Sequence, residues 1–344
     1  MSVTLEPHGQ APIYPNAATQ SAKFERRQRY FLPASLSAEA AATLGPLYAA
    51  QAQSPASQPT CLADFITASD QVQEAIAPLN AHAMQVLAAT LSEDVIAGLP
   101  VLRIKPAIHD AGLAPLVYIH GGGWVAMSAG TMTVPPALVA TATQREVVSI
   151  DYTLAPEADF NKITDKIVAV WKALVMDGHD PRSMGLFGDS AGGNIALSST
   201  LKMRDQDVPL PGALYTISPA TDLTLAGETL YTLGDVDPVL QPEQMPWLRD
   251  AYVGEGDARH AYVSPVFGDF SKPFPPTLIQ GGTREMLLSD SVRQYQAIRS
   301  GGHEAVLDLY EGMPHTFQGA LMASPESKTA IARAAAFFKK HLIS

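Results

Sequence analysis

One serine stands among small residues at positions 188–194, where the chain reads GDSAGGN directly after the apolar run MGLF. Gly188 and Gly192 flank Ser190 at a distance of two residues, which gives the pattern G-x-S-x-G. Where this pattern joins a strand to a helix, the serine lies on a sharp bend with its hydroxyl exposed. The run before Ser190 and the helical pattern AGGNIALSSTLKM after it provide that setting. Glycines also serve plain tight turns, so Ser190 is a candidate nucleophile that needs partners elsewhere in the chain.

A serine hydroxyl attacks only when a base removes its proton, so a catalytic Ser190 requires a histidine further along the chain. His315 lies in YEGMPHTF, a turn-rich loop between the last predicted strand, AVLDLY, and the final predicted helix. In triads of chain order serine, acid, histidine, the base lies on such a loop. His303 precedes that strand and would lie at the opposite edge of the sheet, and His120 belongs to a glycine motif. We therefore expect His315 to be the base.

The acid that orients the imidazole should follow the preceding strand, PTLIQGG. The next residues, TREMLLSDS, offer Glu285 and Asp290. Glu285 comes directly after the strand, at the carboxyl edge where catalytic groups collect, and we prefer it. Asp290 lies one turn later, at a predicted helix start where an aspartate would cap exposed N–H groups. Asp290 stays open as the alternative acid.

A triple glycine follows a predicted strand in YIHGGGW, residues 118–124. A tetrahedral oxyanion needs preorganised N–H donors, and HGGG-type loops provide them in lipases and esterases. The predicted donors are the N–H groups of Gly122, Gly123 and Ala191. The residues that support the two motifs are His120, Gly121 and Asp189.

Short apolar runs alternate with helical patterns from about residue 93 onward. The runs are VIAGLPVLRI, APLVYIH, EVVSIDY, MGLFG, GALYTIS, PTLIQGG and AVLDLY. This alternation predicts βαβ units and a mostly parallel, doubly wound sheet. Two helical patterns precede it, SLSAEAAATLGPLYAAQAQ and ITASDQVQEAIAPLNAHAMQVLAATL. A stretch of about 60 residues between GALYTIS and PTLIQGG breaks the alternation, which is typical of a lid or binding element.

These motifs resemble those of the bacterial hormone-sensitive-lipase family of α/β-hydrolases, for which HGGGW and GDSAGGN are characteristic. DYTLAPEADF at 151–160 is similar to the family's D-Y-x-L-A-P-E stretch, and SPATDLT at 218–224 to its S-P-x-x-D-L-T segment. The resemblance covers roughly residues 93–340. It implies an α/β-hydrolase fold with a sheet of about eight strands and a helical cap. The family usually has an aspartate where this chain has Glu285.

The resemblance also implies a cap made of two segments of the chain. The expected division is 1–60 for the N-terminal part of the cap, 61–223 for the first part of the catalytic domain, 224–266 for the cap insertion and 267–344 for the second part of the catalytic domain. Met245, Trp247, Leu248 and Tyr252 of the insertion fit either a pocket lining or plain packing onto the sheet, and we prefer packing. Trp124 is expected to border the pocket beside the glycine loop.

The activity that the resemblance implies is hydrolysis of carboxylic esters with short acyl chains through an acyl-enzyme. A ligand receptor on the same fold would keep the pocket but lack the histidine, so the presence of His315 argues against it. A peptidase or amidase would share every catalytic residue, and only substrate profiling separates it from an esterase.

Composition narrows the possible partners of the 344-residue chain. The formal net charge is −11, which disfavours nucleic acid and anionic membranes as partners. Because the chain lacks an apolar run of about 18 residues, we expect no membrane insertion. The N-terminal residues lack the basic and apolar regions of a secretory signal, so a cytoplasmic location is expected.

The remaining patterns predict a simple, cofactor-free protein. Cys61 is the single cysteine, so no intramolecular disulfide can form. The sequence contains neither H-E-x-x-H nor a C-x₂-C pair, and we expect no metal site and no cofactor. The expected partner is a small-molecule ester, and a homodimer or higher homo-oligomer is possible.

Overall fold

The computed structural model describes residues 32–53 and 59–343, and for residues 50–53 it describes the backbone alone. The expected N-terminal part of the cap, 1–60, therefore lies largely outside the described residues, which include only its stretches 32–53 and 59–60.

Eight strands form one sheet in the described part of the chain. They are β1 (Thr90–Ile96), β2 (Leu99–Lys105), β3 (Leu116–Ile119), β4 (Val147–Ile150), β5 (Gly185–Asp189), β6 (Ala213–Ile217), β7 (Thr277–Gly282) and β8 (Ala305–Tyr310). Their order is β1-β2-β4-β3-β5-β6-β7-β8. The pairs β1–β2 and β2–β4 are antiparallel, and all others are parallel. The predicted mostly parallel sheet of about eight strands is confirmed.

Helices lie between and around these strands. They are α1 (Ala38–Gln53), α2 (Leu62–Val86), α3 (Val134–Thr143), α4 (Phe160–Met176), α5 (Ala191–Asp205), α6 (Glu228–Thr232), α7 (Met245–Val253), α8 (Leu288–Ser300), α9 (Phe317–Ala320) and α10 (Pro325–His341). The insertion 224–266 contains α6 and α7. Within the part of the chain that the structure describes, no helix combines the length and apolar character that crossing a bilayer requires.

Two local predictions differ from the structure at the start of the sheet. The run VIAGLPVLRI spans two strands, because Ala97 and Gly98 adopt positive φ angles of 51° and 77° and turn the chain into a hairpin. The second helical pattern was expected to reach Leu91, but the helix ends at Val86. Leu91 instead pairs with Ile104 in β2, so strand pairing outweighs the local helical pattern.

The sheet is buried on both faces. Val117 and Ile119 of β3 belong to the core on one side, with Trp171 of α4. The alternate residues Leu116 and Tyr118 belong to the core on the other side, with α3 and α10. This alternation follows the two-residue period of a strand. Helices on both faces leave the carboxyl ends of the parallel strands as the place where loops can form a site.

Candidate active site

Ser190 lies on the bend between β5 and α5. Its φ and ψ angles are 53° and −119°, a region that residues with a side chain rarely adopt. Three backbone hydrogen bonds hold it there: its N–H donates to Ile217 O at 2.8 Å, and its carbonyl accepts from Asn194 N at 3.1 Å and from Ala220 N at 3.3 Å. Such strain persists only where surrounding contacts impose it, and it is frequent at functional sites.

The glycines around Ser190 are required by close backbone contacts. A Cβ atom on Gly188 would lie 2.5 Å from the backbone of Gly192. A Cβ atom on Gly192 would lie 2.0 Å from Ile119 O at the end of β3. The G-x-S-x-G pattern therefore packs the bend directly onto the neighbouring strand.

Glu285 and His315 meet in the interior, although they come from loops after different strands. His315 Nδ1 lies 3.1 Å from Glu285 Oε2, and the two residues are 4% and 0% exposed. Glu285 Oε1 accepts the Gly282 N–H at 3.2 Å. The Ser218 hydroxyl also hydrogen-bonds Glu285 and accepts the Thr316 N–H at 3.1 Å. The carboxylate is thus fixed on several sides and holds Nδ1, which leaves Nε2 as the nitrogen able to act as a base.

Charges around His315 favour its protonated form. Burial opposes a charged imidazole, but the hydrogen bond and charge of Glu285, with the charges of Asp237 and Asp189, raise the pKa of His315 above its usual 6.5. Burial raises the pKa of Glu285, and the hydrogen bond from His315 opposes that effect. The arrangement can take up a proton and stabilise the resulting cation.

Asp290, the alternative acid, lies in a different set of contacts. Its Oδ2 accepts the N–H groups of Thr221 at 2.6 Å and Asp222 at 2.9 Å. The predicted capping of its own helix is wrong, because the N-cap position of α8 is Leu287 and the Asp290 carboxylate is buried against the segment after β6. Burial raises the pKa of Asp290 to about 7. The structure brings Glu285, not Asp290, to the imidazole.

The glycine loop after β3 has the conformation that only glycines adopt easily. The φ angles of Gly122 and Gly123 are 117° and 63°. A Cβ atom on Gly122 would lie 2.2 Å from Ala126 O. Among the described residues, the N–H groups of Gly122, Gly123 and Ala191 have no hydrogen-bond acceptor within the protein. The Ala191 N–H also lies at the positive N-terminal end of α5.

Asp189 and His120 hold this loop in place. Asp189 Oδ1 accepts the Gly121 N–H at 3.0 Å and the Tyr118 hydroxyl. The buried His120 ring stacks on Tyr152 with centroids 4.3 Å apart, and burial lowers its pKa to about 4. His120 is therefore neutral at ordinary pH and supports the loop through packing.

The serine, the histidine and the glycine loop share one cavity of about 270 Å³. Its walls are largely apolar: α2 contributes Phe65 and Val72, the insertion contributes Val239, Leu240, Met245 and Leu248, and the loop after β3 contributes Trp124 and Met127. Such a cavity suits a small ligand with an apolar part and one polar, reacting group.

Comparison with known proteins identifies the family. A family model of the alpha/beta hydrolase fold matches residues 116–319. The chain belongs to this family. It is 35% identical over 227 residues to an esterase of Acinetobacter venetianus, an alignment that covers 64% of this chain and 73% of the relative. It is 33% identical over 248 residues to the putative acetyl-hydrolase LipR of Mycobacterium tuberculosis, covering 72% of this chain and 79% of the relative.

The structural similarity extends over most of the hydrolase. An esterase from the bacterial hormone-sensitive lipase family is 28% identical, with a TM-score of 0.78, and the match covers 89% of this chain and 98% of that one. The resemblance to this family noted from HGGGW and GDSAGGN is confirmed. Within residues 32–53 and 59–343 of the hydrolase, no group of three or more histidine, cysteine or acidic residues is placed to hold a metal ion.

The structure places the predicted Ser190 and His315 at one cavity, whereas the walls of that cavity differ in part from the expectation. Met245 and Leu248, for which packing was preferred, line the cavity, and so does Trp124 as expected. Tyr252 instead stacks on the Trp124 ring with centroids 4.8 Å apart. Trp247 is absent from the lining.

Four residues at or near the site had no detectable functional signal in the sequence. Phe65 and Val72 of α2 face the cavity, although an apolar residue at helical spacing equally fits a packed helix. Ser218 lies in a segment noted only for its family resemblance. Asp237 lies in the insertion, far from any motif.

Proposed function

We propose that this hydrolase, whose family relatives are an esterase and acetyl-hydrolases, is a serine carboxylesterase that cleaves short-chain acyl esters through an acyl-enzyme. The observation that carries the proposal is the common cavity: Ser190, His315 and the unpaired N–H groups of the glycine loop all line or border it. A nucleophile, a base and oxyanion donors within one apolar cavity form a set that acyl transfer requires.

In the acylation half, His315 Nε2 takes the proton of Ser190 as its oxygen attacks the ester carbonyl. The carbonyl oxygen becomes an oxyanion and accepts hydrogen bonds from the N–H groups of Gly122, Gly123 and Ala191. Glu285 keeps the imidazole oriented and stabilises its cation. The imidazolium then gives its proton to the alcohol, which leaves as the acyl–serine ester forms.

In the deacylation half, water takes the place of the alcohol. His315 removes a proton from the water, the hydroxide attacks the acyl–serine ester, and the same N–H groups hold the second oxyanion. Collapse of this intermediate returns the proton to Ser190 and releases the carboxylic acid.

The size and lining of the cavity support short acyl chains. Its volume of about 270 Å³ is slightly below the range of about 300–1,000 Å³ that is typical of ligand pockets. The walls come from α2 and from the insertion 224–266, which supports a two-part cap over the sheet. The sequence predicted that the N-terminal part of the cap ends at residue 60, which assigns α2 to the catalytic domain. In this proposal α2 belongs to the cap, because it forms a wall of the cavity.

The test compares hydrolysis of a butyryl aryl ester by the wild type, Ser190→Ala and Ser199→Ala at mildly alkaline pH. Ser199 is a matched control because it is a buried serine of α5. We expect Ser190→Ala to lower kcat by at least about 10³-fold and Ser199→Ala to keep the rate within a few-fold. Equal rates for the wild type and Ser190→Ala, or an inactive wild type, would reject the esterase mechanism.

A further inference from the structure

Asp237 is a buried carboxylate of the insertion that the proposed mechanism does not use. It lies between α6 and α7 and is 4% exposed. Burying a charged group is costly unless hydrogen bonds or opposite charges compensate for the lost water. Its contacts therefore indicate what it does.

Three backbone N–H groups point at the two oxygens of Asp237. Oδ1 accepts from Val239 at 2.8 Å and from Leu240 at 3.0 Å. Oδ2 accepts from Met286 at 2.9 Å. Because all three partners are donors, they suit an ionised carboxylate that only accepts.

These donors belong to two different parts of the site. Val239 and Leu240 line the cavity that contains Ser190. Met286 directly follows Glu285, whose carboxylate holds the imidazole. One side chain thus joins a wall of the cavity to the loop that carries the acid.

We propose that Asp237 is a positioning residue that fixes the cavity wall of Val239 and Leu240 onto the acid loop and keeps a second carboxylate beside His315. The proposal rests on the esterase function proposed above and deepens it. If so, the Asp237 side chain determines two properties: how the insertion packs over the cavity, and the pKa of the base His315.

The charges that face His315 support this role. They come from three elements: Glu285 after β7, Asp237 in the insertion and Asp189 at the end of β5. The negative charge of Asp237 is among those that raise the pKa of His315. Burial raises the pKa of Asp237 itself, and the charge of His315 and the three backbone N–H groups oppose that effect. Arg284, next to Glu285, places its guanidinium over the Tyr48 ring at 5.1 Å from the centroid.

The experiment measures kcat/KM for a butyryl aryl ester from pH 5 to 9 in the wild type, Asp237→Asn, Asp237→Glu and Asp290→Asn. Asp290 is a matched control, because it is also a buried carboxylate that accepts two backbone N–H groups, but its charge is not among those that act on His315. We expect Asp237→Asn to move the acid limb of the profile to lower pH by about 0.5–1 unit and to raise KM about 3–10-fold.

Asp237→Glu keeps the charge but displaces the oxygens. We expect it to leave the acid limb in place and to raise KM, and it serves as the test if Asp237→Asn does not fold. An unshifted limb in folded Asp237→Asn, an equal shift in Asp290→Asn, or an unchanged KM in Asp237→Glu would overturn the proposal.

An independent measurement separates this inference from the esterase proposal. The His315 ring is titrated by NMR in the Ser190→Ala background, with and without Asp237→Asn, and no turnover is needed. A lower His315 pKa in the double variant supports the role of Asp237 even if no ester is hydrolysed. Identical titrations would reject it even in an active esterase.

Discussion

The carboxylate of Glu285 lies against the backbone of Gly281 in β7. The next residue of that strand, Gly282, donates its N–H to the same carboxylate. A Cβ atom on Gly281 would lie 2.4 Å from Glu285 Oε1. This space lets the glutamate arm fold back so that Oε1 accepts the Gly282 N–H while Oε2 holds His315. The absence of a side chain at position 281 thus makes room for a glutamate, which is one methylene longer than the aspartate that is usual in the bacterial hormone-sensitive-lipase family.

We expect changes at Glu285 to lower activity far more than changes at Asp290. Glu285→Gln keeps the shape of the side chain but removes the charge that stabilises the imidazolium, so kcat should fall by about 10²–10⁴-fold. Asp290→Asn should stay within a few-fold of the wild type, because its carboxylate accepts hydrogen bonds from the segment after β6. Initial rates on a butyryl aryl ester decide between them. A larger loss in Asp290→Asn would make Asp290 the acid.

The pH dependence of the wild type should reflect the environment of His315. The neutral imidazole is the base, so activity is lost as the pH falls and the ring becomes protonated. Because Glu285, Asp237 and Asp189 raise the pKa of His315 despite its burial, the acid limb of kcat/KM should lie above pH 6.5, the usual histidine value. A limb below that value would contradict the assigned surroundings of the ring.

The glycine loop should not tolerate a side chain at position 122. In Gly122→Ala the new Cβ would lie 2.2 Å from Ala126 O, so the loop must move and its N–H groups lose their alignment. We expect kcat to fall by about 10²–10³-fold, the usual cost of one misplaced oxyanion donor. Gly178→Ala is the control for backbone strain alone, since Gly178 has a φ of 98° with no atom within 4 Å of a Cβ. Full activity in folded Gly122→Ala would exclude the loop from catalysis.

The length of the accepted acyl chain should depend on Leu248. Its side-chain carbons would lie 3.2 Å from a Cβ atom on Gly123, so Leu248 covers the glycine loop from the insertion side. Leu248→Ala should raise the ratio of octanoyl to butyryl ester hydrolysis several-fold, because a longer chain fills the new space. Leu174→Ala removes an equally buried leucine from α4, away from the cavity, and should leave that ratio unchanged.

The sequence predicted the polar groups because each follows a strand that can be recognised locally. Ser190, Glu285 and His315 lie after three apolar runs, and parallel strands bring their carboxyl ends to one edge. Because their relative positions follow from the fold, the order of motifs along the chain favours His315 among nine histidines and Glu285 over Asp290.

The cavity walls could not be predicted in the same way. Leu248 and Val72 face the site only because the insertion and α2 pack over the sheet edge, and such packing has no periodic signature. Asp237 shows the same limit, since its partners Met286 and Leu240 are defined by tertiary contacts rather than by spacing. The role of Asp290 was mistaken for this reason: the helix start was recognised, but the segment that packs on it was not.

Asp290 should make the stability of the protein decrease as the pH rises through neutrality. Its pKa is about 7 in the folded chain, against 3.8 for the free side chain, because burial disfavours the charged carboxylate. The contribution of Asp290 to stability is therefore largest below pH 4, where both states are protonated, and decreases as its carboxyl ionises in the unfolded chain between pH 4 and 7. Asp290→Asn lacks this titration, so its free energy of unfolding should rise relative to the wild type over that window by up to about 4 kcal/mol.

Urea unfolding at several pH values measures this difference. Asp180→Asn is the opposing control, because Asp180 is exposed and its hydrogen bonds with Arg182 lower its pKa. That variant should lose stability relative to the wild type at higher pH, whereas Asp290→Asn should gain it. Parallel curves for the wild type and Asp290→Asn between pH 4 and 8 would mean that the buried carboxylate is fully compensated by the Thr221 and Asp222 N–H groups, and would reject the raised pKa.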